Sequence, residues 1–438
     1  MADAVGLFFA SFISIIFLLT LVYSLLYIKH EGGAGRFYVF FTLSYLSLMG
    51  LCFSGNLVTL YVFFEFLTLS SFMLVLHNES HEAVMGSLKY LFYSMFGAYM
   101  ALFGIFVLNK YCVSLDFTAG GTLDANAAAG HEALLLTATA FMLVGFGAKA
   151  GMFPLHAWLP TAHPVAPSPA SAFLSGVIVK AGVLATIRVV FFTIGPDLVR
   201  GTWVQTLWMS VSLFTILMGS LLAYREKAIK KRLAYSTVSQ VSYILFGLSL
   251  LTGEALTGAL LHSLFHAVIK TGLFMVAGIF LMNHISYENE TRGIGRKMPL
   301  TMWSYTLLSL ALIGIPPACG FISKWHLALG ALESGAGIFS YLGPAALLVS
   351  ALLTAAYLLP VSIGGFFDHG GEPCIDTDDS LENDSIEDEP EDKVTEVKEA
   401  GFPMLIPVMT LSILSIVMGL LPSSLSMLAS VISTVLIR

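Results

Sequence analysis

The chain has 438 residues, of which 57% are hydrophobic and only 11% are charged. This composition excludes an ordinary soluble domain. Too little polar chain remains for a Gly-rich phosphate loop, a nucleophile elbow or a nucleic-acid-binding surface, so we predict no nucleotide hydrolysis and no nucleic-acid partner. The negative net charge of −7 comes from one segment, because residues 366–402 carry a net charge of −12 and the remaining chain carries +5.

Apolar runs of about 20 residues, long enough to cross a lipid bilayer, recur along the whole chain. Their boundaries predict twelve spans, at 5–28, 36–54, 56–76, 86–108, 133–153, 167–195, 203–224, 228–250, 256–282, 299–323, 341–365 and 403–435. The first run has no basic residue ahead of it and no cleavage site, so we interpret it as a retained helix rather than a signal peptide. The predicted fold class is an all-α polytopic membrane protein.

Lysine and arginine gather in the loops after the first, seventh and ninth predicted spans, whereas the opposite loops contain few. Because cytoplasmic loops carry the excess of positive charge, this asymmetry predicts that both termini lie outside the cell. The acidic segment 366–402 contains few aromatic residues and is predicted to be a disordered cytoplasmic loop. Docking of this segment onto a basic partner is the alternative.

Ionisable side chains lie inside the predicted spans at Glu65, Lys149, Lys180, Lys270 and Lys324. A charge at the bilayer centre costs roughly 2.5 to 3.5 kcal/mol, so such residues are rare and usually belong to an ion pathway. As alternatives, Glu65 and Lys149 could form a purely structural ion pair. Lys180 could extend to the membrane surface, although its mid-span position argues against this, and Lys324 could lie in the interface.

Two of the predicted helices are interrupted. Five prolines fall between residues 154 and 169, and the segment 314–325 reads GIPPACGFISKW. Proline removes a backbone donor and clashes with the preceding turn, so neither helix can run straight. Interrupted helices in corresponding places of two halves indicate the ion path of a transporter. We divide the chain into an N-terminal helix (1–35), a five-helix repeat (36–195), a second five-helix repeat (203–365), the acidic loop (366–402) and a C-terminal helix (403–438).

His262, His266 and Lys270 follow one another at intervals of four residues, which places them on one helical face. Histidine exchanges protons near neutral pH, so this stripe suggests a proton relay. Packed, hydrogen-bonded histidines and a metal site are the alternatives, and the lysine on the same stripe argues against a metal. The four cysteines show no CxxC spacing. We therefore predict neither a metal site nor a redox cofactor in this chain.

Four sequence blocks carry a family resemblance: PLHAWLPTAHPVAPSPASAFLSGVIVKAG, KKRLAYSTVSQVSY, LLHSLFHAVIKTGLFMVAG and GIPPACGFISKW. They are similar to signature blocks of the antiporter-like membrane subunits found in respiratory complex I, the Mrp cation/proton antiporters, and the membrane-bound hydrogenases and formate hydrogenlyases. The resemblance covers roughly residues 36–365. It implies two inverted five-helix repeats, each forming a half-channel, joined by a chain of buried Lys, Glu and His side chains.

The resemblance also implies roles for single residues. Glu65 matches the buried glutamate that pairs with the lysine of the first broken helix, here Lys149, and Lys180 matches the bridging lysine. The remaining relay positions are filled by His262, His266, Lys270 and Lys324. Family members commonly have fourteen helices or more, whereas the Glu65 helix is third here rather than fifth, and no long lateral helix follows the core. These departures distinguish the chain from the longer members of the family.

Several other polar residues are interpreted from the sequence alone, without the family resemblance. His156 and His163, in the proline-rich break, either line a water channel or cap exposed carbonyl groups. Glu79, Glu82, Arg188 and the basic run 225–232 are interpreted as loop residues in contact with water or lipid headgroups, and of these only Arg188 could neighbour the path.

These inferences predict a proton-translocating, antiporter-like subunit of a multisubunit complex in a prokaryotic cytoplasmic membrane. Its expected partners are the lipid bilayer, other membrane subunits and, in a redox complex, subunits with iron–sulfur centres, since the chain itself is predicted to hold no catalytic centre. A Na⁺/H⁺ antiporter subunit and a stand-alone secondary transporter are alternatives, and a membrane scaffold that binds through the acidic loop is a third. A Na⁺ site would need several oxygen ligands, whereas lysine and histidine dominate the predicted path.

Overall fold

The computed structural model describes residues 2–367 and 397–437. The central part of the predicted acidic loop, residues 368–396, lies outside the described residues, and so does its predicted disorder. The helices of the first half are α1 Ala4–Glu31, α2 Ala34–Cys52, α3 Leu57–Val75, α4 His81–Tyr111, α5 Ala125–Ala128, α6 Glu132–Lys149, α7 Leu159–Val165, α8 Ser168–Phe173, α9 Lys180–Ile187 and α10 Pro196–Val199. Those of the second half are α11 Trp203–Arg225, α12 Ile229–Ser249, α13 Gly253–Met282, α14 Pro299–Ile313, α15 Cys319–Glu333, α16 Phe339–Phe367, α17 Phe402–Leu420 and α18 Pro422–Leu436.

Ten helical segments of the described chain are long and apolar enough to cross a membrane. One of them, Ser168–Ile194, is continuous and includes α8, α9 and two π-helical segments, Leu174–Ile178 and Arg188–Ile194. This span and α13 form the centre of the bundle. In the most apolar 18 residues of each, all residues of the span and 89% of those of α13 are buried. The outer helices bury only one face. The predicted all-α membrane fold is therefore confirmed, and a polar group on a central helix is enclosed by protein.

Both predicted interruptions are present. The helix α6 ends at Lys149, and the indole Nε1 of Trp158 donates to the freed carbonyl oxygen of Ala148 at 2.9 Å. The helix α14 ends at Ile313, the next residue, Gly314, adopts a φ of 91° that favours glycine, and α15 begins at Cys319. Unpaired backbone at membrane depth needs such internal partners, because lipid offers none.

The two interruptions occupy corresponding places in two groups of helices. The first group passes through the bundle as α2, α3, α4, α6 with α7, and Ser168–Ile194; the second passes as α11, α12, α13, α14 with α15, and α16. In each group the fourth passage is the broken one. Because five passages carry the chain to the opposite end, the second group starts where the first one finishes, and the two groups run in opposite directions.

The loops rich in lysine and arginine lie at one end of the bundle, which we call the basic end (residues 29–36, 225–232 and 284–298). The amide of Ile229 donates to Ser286 O at 3.0 Å and so joins two of these loops. Lys230 Nζ donates to Ala166 O at 2.7 Å, and nearby Ser168 Oγ donates to the hydroxyl of Tyr27 at 3.1 Å, just before the first loop. At the opposite end, Arg188 binds Asp3, and Ser433 Oγ lies 2.9 Å from Thr257 Oγ1. Both termini therefore lie at the same end, opposite the basic end.

The C-terminal segment differs from its prediction. Instead of one helix over 403–438, the chain forms α17 and α18, because Pro422 occupies the first helical position of α18 and cannot donate the amide that would continue α17. The last residues of the predicted acidic loop are also attached to the bundle. The carboxylate of Glu399 accepts hydrogen bonds from the amides of Leu300, at 2.9 Å, and Thr301, at 3.3 Å, and so caps α14.

Candidate functional site

Lys149, the last residue of α6, is buried against α3 with 1% of its surface exposed. Its Nζ atom donates to Thr68 Oγ1 at 2.5 Å and lies over the rings of Phe64, at 5.0 Å, and Tyr90, at 5.4 Å. Two aromatic faces and one hydroxyl therefore solvate this ammonium group.

Glu65 lies one helical turn from Thr68, and it is only half-buried because it faces the outer side of α3. Its Oε1 atom is buried and has no hydrogen-bond partner among the described residues. In this structure Thr68, rather than Glu65, binds the Lys149 ammonium, so the direct pair implied by the resemblance is not formed.

Lys180 lies at the centre of the bundle and is completely buried, which excludes extension to the membrane surface. Its Nζ atom lies 2.5 Å from His266 Nδ1 and donates to Ser175 O at 2.9 Å. Ser175 belongs to the π-helical segment Leu174–Ile178. A π-helical turn shifts the backbone hydrogen bonds by one residue and so makes a carbonyl group accessible to a side chain. The local helix distortion therefore supplies one of the two Lys180 ligands.

Lys270 is also completely buried, and it is connected to Lys180 through hydroxyl groups. Its Nζ atom donates to Leu233 O at 2.9 Å, and Thr237 Oγ1 donates to the same carbonyl at 2.9 Å. Thr237 Oγ1 lies 2.7 Å from Ser175 Oγ, on the residue whose carbonyl binds Lys180. The hydroxyl groups of Thr237 and Ser175 thus lie between the sites of the two ammonium groups.

The path continues from His266 toward the second broken helix. The rings of His266 and His262 have centroids 6.1 Å apart, and His262 Nδ1 lies 2.9 Å from Ser323 Oγ on α15. The next residue of α15, Lys324, donates to Leu312 O at 2.7 Å and to Ile313 O at 2.8 Å. These are the last carbonyls of α14, where a cation is favoured by the helix dipole. Lys324 is half-buried within the described chain.

Buried polar atoms without partners accompany this row. Among the described residues they include Nε2 of His262 and of His266, both ring nitrogens of His163, and both amide atoms of Gln240. Leaving such an atom unpaired costs about 1–3 kcal/mol. Internal water commonly satisfies such groups where several polar atoms converge. These atoms therefore add donors and acceptors to the row that are not used by the described side chains.

The side chains of the histidine stripe contact several neighbouring helices. Nδ1 of His266 is bound by Lys180 and Nδ1 of His262 by Ser323. No group of three or more His, Cys, Asp or Glu side chains in the described ranges has metal-binding geometry. The predicted stripe is real, but its three members bind partners on three different helices.

The two histidines of the first break have different surroundings. His156 is half-buried, and its ring lies 5.9 Å from that of Phe153. His163 is completely buried and stacks on Phe274 with ring centroids 4.6 Å apart. His163 caps no carbonyl in the described structure, since neither of its ring nitrogens has a partner.

Arg188 and the basic run 225–232 were both predicted to contact water or lipid headgroups, and the structure shows that Arg188 and two residues of the run are buried. Arg188 is 1% exposed, binds both carboxylate oxygens of Asp3, and lies over the rings of Phe117 and Phe192. In the basic run, Lys230 is 8% exposed and Arg232 is 4% exposed. Each binds a carbonyl or carboxylate group from a distant segment, and the charge pattern of a single sequence contains no signal for such partners.

Comparison with known proteins gives consistent results. Residues 54–362 match the family described as NADH:quinone oxidoreductase/Mrp antiporter, TM. The chain is 37% identical over 334 residues to NADH-quinone oxidoreductase subunit N of Desulforudis audaxviator, covering 75% of this chain and 64% of that protein. It is 35% identical over 342 residues to hydrogenase-4 component B of Escherichia coli, covering 74% of this chain and 49% of that protein. The chain thus spans less than two thirds of the length of either relative.

The fold is also similar to a solved structure. A chain in the Mrp complex from Dietzia sp. superposes with a TM-score of 0.83 at 22% identity, covering 100% of this chain and 84% of that chain. At this identity the likeness concerns the fold alone. The family match, in contrast, extends over more than half of the sequence and includes both broken helices. The chain therefore belongs to the NADH:quinone oxidoreductase/Mrp antiporter family of membrane proteins.

Proposed function

We propose that the chain translocates protons across a membrane as an antiporter-like subunit of a multisubunit complex. The proposed relay consists of Glu65, Lys149, Lys180, His262, His266, Lys270 and Lys324. The observation that carries the proposal is the buried contact between Lys180 Nζ and His266 Nδ1, at 2.5 Å, between the two broken helices. A basic amine and an imidazole in direct contact, both enclosed in an apolar bundle, can exchange a proton without a soluble carrier.

The absence of a carboxylate beside Lys180 supports this role. Among its described partners, a carbonyl and an imidazole bind the ammonium. Burying a cation without a counter-ion is costly, and hydrophobic residues of similar size would be better for stability alone. A site that must both hold and release a proton has the opposite requirement, because a full ion pair would hold the proton too firmly.

A proton can pass through His266 if it enters at one ring nitrogen and leaves at the other. Nδ1 faces Lys180, and Nε2 is buried without a protein partner. His262 presents the same arrangement, with Nδ1 on Ser323 and Nε2 unpartnered. Water bound at the Nε2 atoms would complete a transfer route toward Lys324. At the other end, movement of Glu65 toward Lys149 would stabilise the ammonium and retain its proton.

The ligand chemistry favours H⁺ over Na⁺ as the translocated ion. The central contacts are made by amine and imidazole nitrogens, whereas Na⁺ requires a cage of oxygen ligands. We therefore expect proteoliposomes containing the purified complex to acidify or alkalinise their lumen in sodium-free buffer. Flux would be driven by the native reaction of the complex or by a potassium diffusion potential, and read with an internal pH dye. Flux that appears only when Na⁺ is added would contradict the proton assignment and favour a Na⁺/H⁺ antiporter subunit.

We further propose that the chain functions with other membrane subunits. The outer faces of α3 and α4 expose large apolar side chains, and Glu65 lies half-buried on this outer side. The relatives are named as components of a quinone oxidoreductase and of a hydrogenase. Partner subunits with iron–sulfur centres would supply the driving reaction in either case.

The partner assignment can be tested by purifying the natively tagged chain from its source membrane and identifying co-eluting proteins by mass spectrometry. We expect several membrane subunits. Iron–sulfur subunits among them would establish a redox complex, and small hydrophobic subunits alone would establish an antiporter. A lone polypeptide would contradict the proposal. The clustering of basic loops at one end further supports termini outside the cell, so a C-terminal tag should be accessible to antibody in intact spheroplasts.

A further inference from the structure

The two broken helices differ in how their backbone amides are satisfied. In the second break, the amides of Gly314 and Ile315 both donate to Leu310 O at 3.1 Å. The amide of Ala318 donates to Ile315 O at 3.1 Å, and two further positions of this loop are prolines, which carry no amide donor. The amides of this loop therefore bind carbonyl groups of the same broken helix.

The first break, in contrast, depends on a side chain from another helix. The amides of Gly151 and Met152 donate to carbonyl groups of α6 at 3.1 and 2.9 Å. The next amide, that of Phe153, donates to Thr215 Oγ1 on α11 at 3.2 Å. Because α11 is the first helix of the second group, one backbone donor of the first broken helix is satisfied by the other half of the bundle.

The local structure of α11 suits Thr215 to this contact. Thr215 is completely buried, and its hydroxyl donates to Val211 O at 2.6 Å, so the oxygen is oriented to accept the Phe153 amide. The preceding residue, Phe214, packs its ring edge-on against the ring of Phe153, with centroids 4.9 Å apart. Two consecutive residues of α11 thus hold both the backbone and the side chain of Phe153.

This contact lies close to the relay, because Lys149 is the last residue of α6 and precedes Phe153 by four residues. The hydrogen bond that follows Lys149, from Ala150 N to Phe146 O, is 3.4 Å long, whereas such bonds are usually about 2.9–3.0 Å. The end of α6 is therefore weakly fixed by its own helix. The place from which Lys149 reaches Thr68 consequently depends on how the following turn is held.

We propose that Thr215, together with Phe214, is a positioning residue for Lys149. From the second group of helices it fixes the turn that ends α6, and so it fixes the place of the Lys149 ammonium. This positioning role rests on the proposed proton translocation, in which Lys149 belongs to the relay. It adds a dependence of that lysine on the second group, since a shift of α11 against α6 would move Phe153 and the end of α6 with it.

Proton flux in proteoliposomes, normalised to the amount of assembled complex, tests this role. Valine has nearly the shape of threonine but cannot accept a hydrogen bond, so we expect Thr215→Val to lower flux at least about fivefold. Thr215→Ser keeps the hydroxyl and should retain at least about half of the wild-type flux. Thr206→Val is the matched control on the same helix: its position is exposed, its hydroxyl donates to Thr202 O, and its flux should equal that of the wild type.

Hydrogen–deuterium exchange separates positioning from a general loss of stability. The amides of residues 150–158 should exchange at least about fivefold faster in Thr215→Val, because the Phe153 amide has lost its acceptor. Exchange in the second break, residues 314–325, should stay at the wild-type rate. A threonine needed only for stability would instead raise exchange throughout the bundle and lower the amount of assembled complex, while normalised flux stayed unchanged.

Lys149→Met separates the positioning role from the relay. Lost flux in Lys149→Met together with wild-type normalised flux in Thr215→Val would overturn the positioning role and leave the relay intact. Wild-type flux in Lys149→Met would overturn the relay, and the positioning role with it. If Thr215→Val does not assemble, a high-resolution map of the wild-type complex decides: we expect Thr215 Oγ1 within about 3.5 Å of the Phe153 amide nitrogen, and a different acceptor for that amide would overturn the role.

Discussion

Replacement of Lys180 by methionine is expected to abolish proton translocation, lowering flux by at least about a hundredfold, while the complex remains assembled. Methionine fills a similar volume, so packing at this completely buried position changes little. It removes the amine that contacts His266 Nδ1 at 2.5 Å and Ser175 O at 2.9 Å. No other described side chain makes both contacts. The measurement is proton flux in proteoliposomes, normalised to the amount of assembled complex.

Lys180→Arg sharpens this test. Arginine keeps a positive charge and several donors, but its guanidinium does not lose its proton in proteins. A relay requires release of the proton, so Lys180→Arg should be nearly as inactive as Lys180→Met. Lys227→Met, on an exposed loop at the basic end, is the control and should retain flux. Full activity of Lys180→Arg would show that only the charge is needed and would refute a proton-exchanging role.

Replacement of Arg188 by methionine is expected to destabilise the protein by about 3–5 kcal/mol, the usual cost of removing one partner from a buried ion pair. The Arg188 guanidinium is 1% exposed, binds both carboxylate oxygens of Asp3, and packs against the rings of Phe117 and Phe192 at 5.0 and 4.6 Å. Its loss leaves the Asp3 carboxylate without its partner at the start of α1. The measurement is the thermal midpoint of the purified complex in detergent.

Acidification gives an independent check on the same pair. Burial by itself raises the pKa of Asp3, but the hydrogen bonds and positive charge of Arg188 outweigh burial and lower this pKa below its ordinary value of 3.8. The stabilisation is therefore present above pH 3.8 and disappears as the pH falls through the lowered pKa. Asp3→Asn should remove this part of the acid sensitivity. Arg200→Met removes an exposed ion pair with Asp197 and one hydrogen bond to Leu251 O, and it should lower stability less than Arg188→Met does. A thermal midpoint unchanged in Arg188→Met would contradict the role assigned to the pair.

The amino-acid sequence by itself determined the fold class and the broken helices of this protein. Apolar runs form helices in lipid because no water is present to satisfy the backbone, and the proline-containing segments 154–169 and 314–325 each coincide with a broken helix. Single prolines, in contrast, lie inside α7, α16 and α17. The spacing of His262, His266 and Lys270 likewise required a common helical face. These features depend on local geometry, so they can be predicted from neighbouring residues alone. The single C-terminal helix was predicted incorrectly, although Pro422 was a local signal for the break.

Only the tertiary structure decided which partner each ionisable group has. Lys149 binds Thr68 rather than Glu65, Lys180 meets His266 across 86 residues of sequence, and Lys230 binds a carbonyl 64 residues away. The π-helical segment that exposes Ser175 O forms inside a fully buried helix, where packing rather than local preference sets the backbone. A hydrogen bond of this kind depends on distance and direction between segments that are remote in sequence. The composition of either segment contains no information about that distance, and the assembled bundle supplies it.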